Sequence, residues 1–424
     1  MKKASLVIKE IQEGTYNDVL KEVYIDESRI EKQPQRYVAA IEKFISLYGD
    51  QEIEIYSTPG RSEVSGNHTD HQNGEVLAAA INLDIIAVVS KNDVVKVLSD
   101  DYDLKPISLD DLSKKEDEVG TSEGLMRGVL ARFKELGYAI GGFNGYMTSD
   151  VLQGSGLSSS AAFEVMIGTI LSGLYNEMKV DPVVIGQVGQ YSENVYFGKP
   201  CGLMDQSACS VGSLIHIDFK DNSKPVVEKV DVEFSSFKHS LCIVDVHASH
   251  ADLTDDYAAV PYEMKKVAQF FGKEFLREVD EKDFYNQLVA VRKEVGDRAI
   301  LRAIHLFNEN KRVEKAVSSL KNNDFDTFKQ VIKDSGDSSY KYLQNVYSNK
   351  YPDNQAVSLA LALSEGILEN HCVCRVHGGG FAGTIQAFVE DEYVDHYKEE
   401  IEKYLGEGSC HVLKVRKFGG MKVL

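Results

Sequence analysis

Apolar residues recur at helical spacing in the first part of the chain, and strand-like alternation follows. Residues 1–48 place apolar side chains such as Val38 and Ile41 between charged residues. This spacing predicts helices that keep one polar face. Residues 53–55 alternate like a short strand, and the Pro-Gly pair at 59–60 is predicted to end it.

The middle of the chain predicts strands followed by a buried helix. Residues 76–99 contain two β-rich runs, IIAVVS and VVKVLS, which the Lys-Asn-Asp turn at 91–93 would join as a hairpin. Residues 122–136 have the pattern of an amphipathic helix, and 141–151 that of a strand. Residues 163–175 are nearly all apolar, which predicts a helix buried on every side.

The last part of the chain mixes the same elements. A buried strand is predicted at 240–246, helices over most of 257–344, and a strand, glycine loop and strand over 372–389. A charged helix is predicted at 391–405. Because strands and helices intermix, the fold class is α/β or α+β, with a domain boundary expected in the polar stretch 221–238.

The composition adds a strong excess of acidic residues to this picture. Of 424 residues, 43% are hydrophobic and 27% charged, and the formal net charge is −19. The length allows two domains or one large one. The negative charge would repel nucleic acid and anionic membranes, so neither is an expected partner. An anionic ligand would need a metal ion, backbone N–H groups or a lone arginine to neutralise it locally.

Cysteine usage and hydropathy predict a cytoplasmic protein. The six cysteines form no CxxC pair, which argues against a zinc module or a disulfide framework. The N-terminal residues lack the continuous apolar core of a signal peptide. The apolar segment 76–89 contains Asn82 and Asp84 and is too short to cross a bilayer.

The stretch GSGLSSSAA at 154–162 combines glycines, hydroxyls and almost no bulk. Small residues let backbone N–H groups approach a ligand closely, and a helix starting near Ser158 would add its own free N–H groups. The stretch is neither a GxxxxGK[ST] loop nor a GxGxxG fingerprint. A phosphate cradle and a tight strand-to-helix turn with serine caps both fit its composition.

Three further stretches carry candidate chemistry. Residues 58–74, TPGRSEVSGNHTDHQNG, have a polar density that suits a polyhydroxy ligand, or a solvated loop. Their histidines do not have zinc-site spacing. In 201–212, Asp205 lies among small and apolar residues, where a carboxylate is a candidate base or a helix cap. The glycines of HGGGFAG at 377–383 would support a ligand or form a hairpin turn.

Together, in this order, the four stretches resemble the GHMP small-molecule kinases, and within them the galactokinases. Residues 154–162 match the GxGLSSSAA phosphate loop, and GRSEVSGNHTDHQNG at 60–74 matches the signature GRxNxIGEHTDYxxG. Residues 201–206 match CGxMDQ, and GGGFAG at 378–383 matches the late glycine motif. The resemblance covers residues 45–424.

The resemblance implies a two-lobed GHMP kinase fold. Residues 1–235 would form a lobe like the second domain of ribosomal protein S5, preceded by a helical extension that family members often lack. Residues 236–424 would form a ferredoxin-like lobe. The implied reaction transfers the γ-phosphoryl of ATP to the anomeric hydroxyl of D-galactose, with Mg²⁺ as cofactor.

The resemblance also implies residue roles. Asp205 would be the catalytic base and Arg61 its partner, orienting it and stabilising charge on the transferred group. The implied sugar contacts are Asn67, His68, Thr69, Asp70, Gly202 and Tyr257. The implied nucleotide contacts are Gly154, Ser155, Gly156, Leu157, Ser158, Ser159 and Ser160, and the implied Mg²⁺ ligands are Ser160 and Glu193.

The match departs from the family signature in the sugar-binding stretch. Asn67 replaces a glutamate that contacts the sugar, His71 replaces a tyrosine, and Arg61-Ser62-Glu63 replaces Arg-Val-Asn. The same chemistry on N-acetylgalactosamine or arabinose is therefore an alternative. A non-catalytic galactose sensor is a second one, but such sensors have a damaged phosphate loop, and SSSAA is intact here.

Overall fold

A computed structural model describes residues 1–100, 102–151, 157–221, 224–248 and 253–424. Its strands are β1 (Lys2–Lys3), β2 (Glu52–Ser65), β3 (Glu75–Asn92), β4 (Lys96–Ser99), β5 (Tyr102–Asp103), β6 (Gly142–Ser149), β7 (Leu214–Asp218), β8 (Val226–Val230), β9 (His239–Asp245), β10 (Cys372–His377), β11 (Thr384–Glu390), β12 (Cys410–Leu413) and β13 (Met421–Lys422).

Its α-helices are α1 (Ala4–Gln12), α2 (Asn17–Tyr24), α3 (Glu27–Ile30), α4 (Gln33–Tyr48), α5 (Ser122–Glu135), α6 (Ser159–Asn176), α7 (Pro182–Tyr191), α8 (Met204–Val211), α9 (Thr254–Phe270), α10 (Glu281–Asn286), α11 (Leu288–Val295), α12 (Asp297–Lys321), α13 (Phe325–Ser338), α14 (Ala356–Leu368) and α15 (Val394–Leu405).

Strand β3 is the centre of the larger sheet and is buried on both faces. Side chains alternate across a strand, so Ile86 and Val88 point to one face and Ala87 and Val89 to the other. The first pair packs in a cluster with α1, α2 and α4, and the second pair packs in the cluster that contains α6. The N-terminal helices, which had no predicted role, therefore cover one face of this sheet.

The predicted hairpin across residues 91–93 is wrong. In the larger sheet the order is β1-β2-β3-β6-β4-β5, so β6 lies between β3 and β4. Strand β6 pairs antiparallel with β3 and parallel with β4. The local pattern of 85–99 is typical of a hairpin, but it contains no information about a strand fifty residues away that competes for the same edge.

The predicted break at Pro59-Gly60 is also wrong. Strand β2 continues through these residues with a shift of register between Pro59 and Arg61, which is where a proline is tolerated in a sheet. A Cβ at Gly60 would lie 3.0 Å from the carbonyl oxygen of Leu157. The glycine thus lets β2 pass close to the residues that begin the phosphate-loop motif.

The smaller sheet has the order β10-β11-β9-β12, with every pair antiparallel. Helices separate β9 from β10, and α15 separates β11 from β12. This is the β-α-β-β-α-β topology of a ferredoxin-like unit. Strand β13 leaves this unit and pairs with β2 in the larger sheet. The division at 235/236 stays a prediction.

Most other predicted elements are confirmed. Helices occupy most of residues 1–48 and 257–344, and α5, α6, β6, β9 and the β10–β11 pair lie where the patterns place them. The mixed α/β class is confirmed as well. Within the described residues, no helix combines the length and apolarity that crossing a bilayer requires.

Candidate active site

A pocket of about 270 Å³ lies where three of the four motifs meet. It is lined by Arg61, Glu63, His68, Asp70, His71, Cys201, Gly202, Met204, Asp205, Gly378 and Gly379. The end of β2 and the turn after it supply the first five residues. The segment before α8 and the first turn of that helix supply the next four, and the loop after β10 supplies the two glycines. Residues distant in sequence thus form one polar cavity.

Arg61 and Asp205 form a two-pronged ion pair at this pocket. Arg61 Nε donates to Asp205 Oδ1 and Nη2 donates to Oδ2, both at 2.8 Å. Burial alone would raise the pKa of Asp205, but Arg61 reverses this and holds it below its ordinary value. The pairing keeps Asp205 ionised and fixes the direction of its oxygens.

Ser158 connects the phosphate-loop motif to this pair. It precedes α6 with φ +55°, in the left-handed region, and its hydroxyl donates to Asp205 Oδ2. No side chain of the described residues caps the start of α6, so the N–H groups of its first turn remain available for an anion. Leu157, Ser158, Ser159 and Ser160 lie at this helix start. The predicted nucleotide contacts Gly154, Ser155 and Gly156 lie outside the described residues.

Replacing Ser158 with alanine should move the acid limb of the kcat/KM profile to higher pH. The lost hydrogen bond stabilises the ionised form of Asp205, so its pKa rises and protonation sets in at higher pH. At neutral pH the loss should stay within about tenfold. Ser159→Ala is the matched control and should leave the acid limb in place. An acid limb that Ser158→Ala does not move would contradict this link.

A pair of buried carboxylates lies behind Asp205. Gln206 Nε2 donates to Glu193 Oε2 at 2.8 Å and to Glu164 Oε2 at 3.0 Å. Burial and the charge of Glu193 raise the pKa of Glu164 well above its ordinary value. Glu164 Oε1 is buried and accepts no hydrogen bond from the described residues. Lys199 Nζ lies 3.6 Å from Glu193 Oε1, but this lysine is largely exposed, and Glu164 has no ion-pair partner among the described residues.

A divalent cation fits this arrangement. Ser160 lies one helical turn before Glu164, on the same face of α6, and with Glu193 they offer the hard oxygen ligands that Mg²⁺ prefers. Within the described residues there is no cluster of three acidic, histidine or cysteine ligands. Mg²⁺ commonly takes one or two carboxylates and completes its shell with water and phosphate oxygens.

Sequence reasoning missed Glu164. A signal was present, since Glu164 is the one charged residue in the apolar run 163–175 and follows Ser160 by one turn. A lone carboxylate at such a position is costly to bury without a partner.

Three of the predicted sugar contacts line the pocket. His68 Nε2 donates to the carbonyl of Gly379 at 2.9 Å, which fixes the ring against the loop after β10. Burial raises the pKa of Asp70, against the opposing effect of His68. A Cβ at Gly202 would lie 3.2 Å from Asp70 Oδ2, so the glycine keeps the approach to Asp70 open.

Asn67 lies outside the pocket lining and is fully buried. Its amide nitrogen donates to Glu63 Oε1 at 3.1 Å and to the carbonyl of Gly378 at 2.7 Å. Its amide oxygen accepts from Ser339 Oγ at 3.2 Å and from Asn345 Nδ2 at 2.8 Å. These bonds use every donor and acceptor position of the amide, so the predicted sugar contact of Asn67 has no free group to make it.

Thr69 and Tyr257 have structural partners. The Thr69 hydroxyl is fully buried and its one proton is shared between two backbone carbonyls, that of Glu75 at 2.6 Å and that of Gly66 at 2.9 Å. The Tyr257 hydroxyl donates to the carbonyl of Gly380 at 2.8 Å. A Cβ at Gly379 would lie 2.7 Å from the Tyr257 ring, so the glycine motif packs directly on this tyrosine. Tyr257 therefore supports a wall of the pocket.

A second, larger cavity of about 770 Å³ lies against the end of β9 and the start of α14. It reaches Phe381 and Ala382 of the glycine motif. None of the described residues predicted to bind sugar, nucleotide or metal lines it. The described site residues that line a cavity therefore line the smaller pocket.

Comparison with known proteins agrees with this geometry. The profile described as "Galactokinase galactose-binding signature" matches residues 42–91, and "GHMP kinases N terminal domain" matches residues 124–213. The chain is 30% identical over 370 residues to a galactokinase of Streptomyces coelicolor, covering 85% of this chain and 91% of the relative. It is 28% identical over 373 residues to a galactokinase of Bacillus subtilis, covering 84% and 90%.

Solved structures share the fold. The Lactococcus lactis galactokinase in complex with galactose superposes with a TM-score of 0.73 at 24% identity, over 90% of this chain and 98% of that one. The Methanococcus jannaschii mevalonate kinase gives 0.60 at 15% identity, over 86% and 98%. The expected GHMP kinase fold is confirmed. By its similarity to curated relatives over most of both lengths, the chain belongs to the galactokinase family of GHMP kinases.

Proposed function

We propose that this protein transfers the γ-phosphoryl of ATP to the anomeric hydroxyl of D-galactose, giving galactose 1-phosphate and ADP. The observation that carries the proposal is the Arg61–Asp205 pair, which lies at the pocket and is bonded to Ser158 at the start of α6. A sugar in the pocket and a phosphate at the helix start would meet at this carboxylate.

The proton balance of the reaction suits Asp205. As the anomeric oxygen bonds to the γ-phosphorus, its proton passes to Asp205 and the bond from the γ-phosphorus to the ADP oxygen breaks. The pKa of Asp205 is low, so the group accepts this proton late, when the sugar oxygen has become acidic through bonding to phosphorus. Arg61 holds the carboxylate in its ionised form until then.

Positive potential at the phosphate comes from three sources in an otherwise acidic protein. The first turn of α6 supplies N–H groups, and Arg61 supplies a fixed cation beside Asp205. Mg²⁺, when bound by Ser160, Glu193 and Glu164, would neutralise phosphate oxygens and position the nucleotide. The helix N–H groups and Arg61 are in place before the reaction, so they need little reorganisation as charge develops.

The setting of this reaction is proposed to be the cytoplasm. Support comes from the six cysteines, all of which are present as free thiols. A reducing compartment keeps thiols in this form.

The proposal is tested by measuring ADP release from Mg-ATP with galactose, glucose, N-acetylgalactosamine, arabinose and mevalonate. Galactose is expected to give the highest kcat/KM, and phosphorus NMR should place the phosphate on the anomeric carbon. Turnover with another sugar alone would replace galactose as the substrate while keeping the chemistry. No turnover with any acceptor, alongside galactose binding, would instead favour the sensor.

A further inference from the structure

Two departures from the family signature lie in direct contact. The signature has asparagine at the position of Glu63 and glutamate at the position of Asn67, so the two residue types have exchanged places. In the structure Asn67 Nδ2 donates to Glu63 Oε1 at 3.1 Å. The carboxylate and the amide have therefore exchanged positions within one hydrogen-bonded pair, and the net charge of the pair is the same as in the signature.

The two side chains now have different surroundings. Asn67 is fully buried with both ends of its amide bonded to protein, while Glu63 lines the sugar pocket. Glu63 also crosses the interface between the two sheets, since its Oε1 pairs with the fully buried Arg375. The backbone carbonyl of Glu63 accepts from Gln386 Nε2 at 2.7 Å, which fixes β2 at this point.

The two oxygens of Glu63 are not equivalent. Oε1 accepts from both Arg375 and Asn67. Oε2 accepts no hydrogen bond from the part of the chain that the structure describes. It is not fully buried either, so it is accessible from the pocket. A carboxylate with one oxygen held by an arginine and the other open to a pocket is a directed acceptor for a hydroxyl group.

We infer that Glu63 is a substrate-binding residue, whose Oε2 accepts a hydrogen bond from one hydroxyl of the sugar, and that Asn67 is a positioning residue that holds Glu63 in place. The inference rests on the proposed sugar-kinase function. The carboxylate that the family signature places at the position of Asn67 is supplied here from Glu63, four residues earlier on β2. Arg375 compensates its charge from the other sheet.

The test compares wild type with Glu63→Gln on galactose and on its 2-, 3-, 4- and 6-deoxy forms. In the variant, KM for galactose should rise about 10- to 100-fold, as expected for loss of a hydrogen bond to a charged group, while KM for ATP stays within about threefold. One deoxy sugar lacks the hydroxyl that Glu63 binds. For that sugar alone, Glu63→Gln should change KM by less than about threefold, because the hydrogen bond between the hydroxyl and Glu63 is already absent in wild type.

Glu309→Gln is the matched control. Glu309 is a fully buried carboxylate linked to the same network through Ser335 but outside the pocket lining. Any loss that it causes should be equal for all the sugars. An equal loss for all sugars with Glu63→Gln as well, or an unchanged galactose KM, would overturn the assignment of Glu63.

The double variant Glu63→Asn with Asn67→Glu provides a second readout. It returns the carboxylate to its place in the family signature and should recover galactose KM relative to Glu63→Asn alone. If the double variant has the same melting temperature as wild type but galactose KM does not recover, the inferred exchange of roles between Glu63 and Asn67 is wrong. Failure of the wild type to phosphorylate any sugar would overturn the proposed function itself, so the two failures are distinguishable.

Discussion

Asp205→Asn is expected to lower kcat by about 10²- to 10⁴-fold, the range typical for loss of a general base. Asparagine has nearly the same shape and still offers an oxygen to Arg61, but it cannot take the proton of the sugar hydroxyl. Because nucleotide would bind mainly at the start of α6, the affinity for ATP should change little. The expected result is thus a loss of turnover with binding preserved.

The measurement is steady-state turnover together with calorimetric titration of the nucleotide. Asp117→Asn serves as the control, since Asp117 is an exposed carboxylate that does not line the pocket. Near-normal turnover in Asp205→Asn would remove this residue from the role of base. A parallel collapse of nucleotide affinity would show that Asp205 supports the phosphate site instead.

Asp84→Asn should lower the free energy of unfolding by about 3–5 kcal/mol, the usual cost of breaking a buried ion pair. Asp84 is fully buried, and its carboxylate accepts from Arg36 at 2.6 Å, Tyr24 at 2.7 Å and Arg416 at 3.3 Å. The substitution leaves the fully buried cation of Arg416 without a carboxylate. It also loosens the N-terminal helices, because Arg36 belongs to α4 and Tyr24 to α2.

The effect should depend on pH in a defined direction. Burial alone would raise the pKa of Asp84, but Arg36 and Arg416 lower it below its ordinary value. The stabilisation is therefore complete above the unfolded-state pKa of about 4 and is lost as pH falls below it.

Urea unfolding at pH 7 and at acid pH measures this difference. The exposed Asp93→Asn is the control and should stay within about 0.5 kcal/mol of wild type. A loss under about 1 kcal/mol for Asp84→Asn would mean that the cost of burying these charges cancels their attraction.

The residues proposed to carry the chemistry could be picked out from the sequence because each lies in a short motif that is recognisable without knowing the fold. Arg61, Asp205 and Ser158 come from three different motifs, and the structure brings them into direct contact. Glu164 was also within reach of sequence reasoning, as a single carboxylate in an apolar helix.

The surroundings of Asn67 and Glu63 could not be predicted in this way. The four bonds that saturate Asn67 come from residues 63, 339, 345 and 378, and their meeting depends on how the two sheets pack. The prediction of a hairpin at 91–93 failed for the same reason, since the position of β6 between β3 and β4 depends on contacts between residues far apart in the sequence. A local pattern fixes which face of an element is apolar, but it does not fix the element's neighbours.

Strand β13 sets an order of events during synthesis. It pairs with β2, and directly after it Val423 N donates to the carbonyl of Ile55 at 2.8 Å. Arg416, five residues before the strand, supplies the second cation of Asp84. A nascent chain that has reached residue 413 already contains Arg61, Asp205, the phosphate-loop motif and the glycine motif at 378–383. In the larger sheet, however, β2 lacks its pairing with β13 until the residues after 413 have left the ribosome.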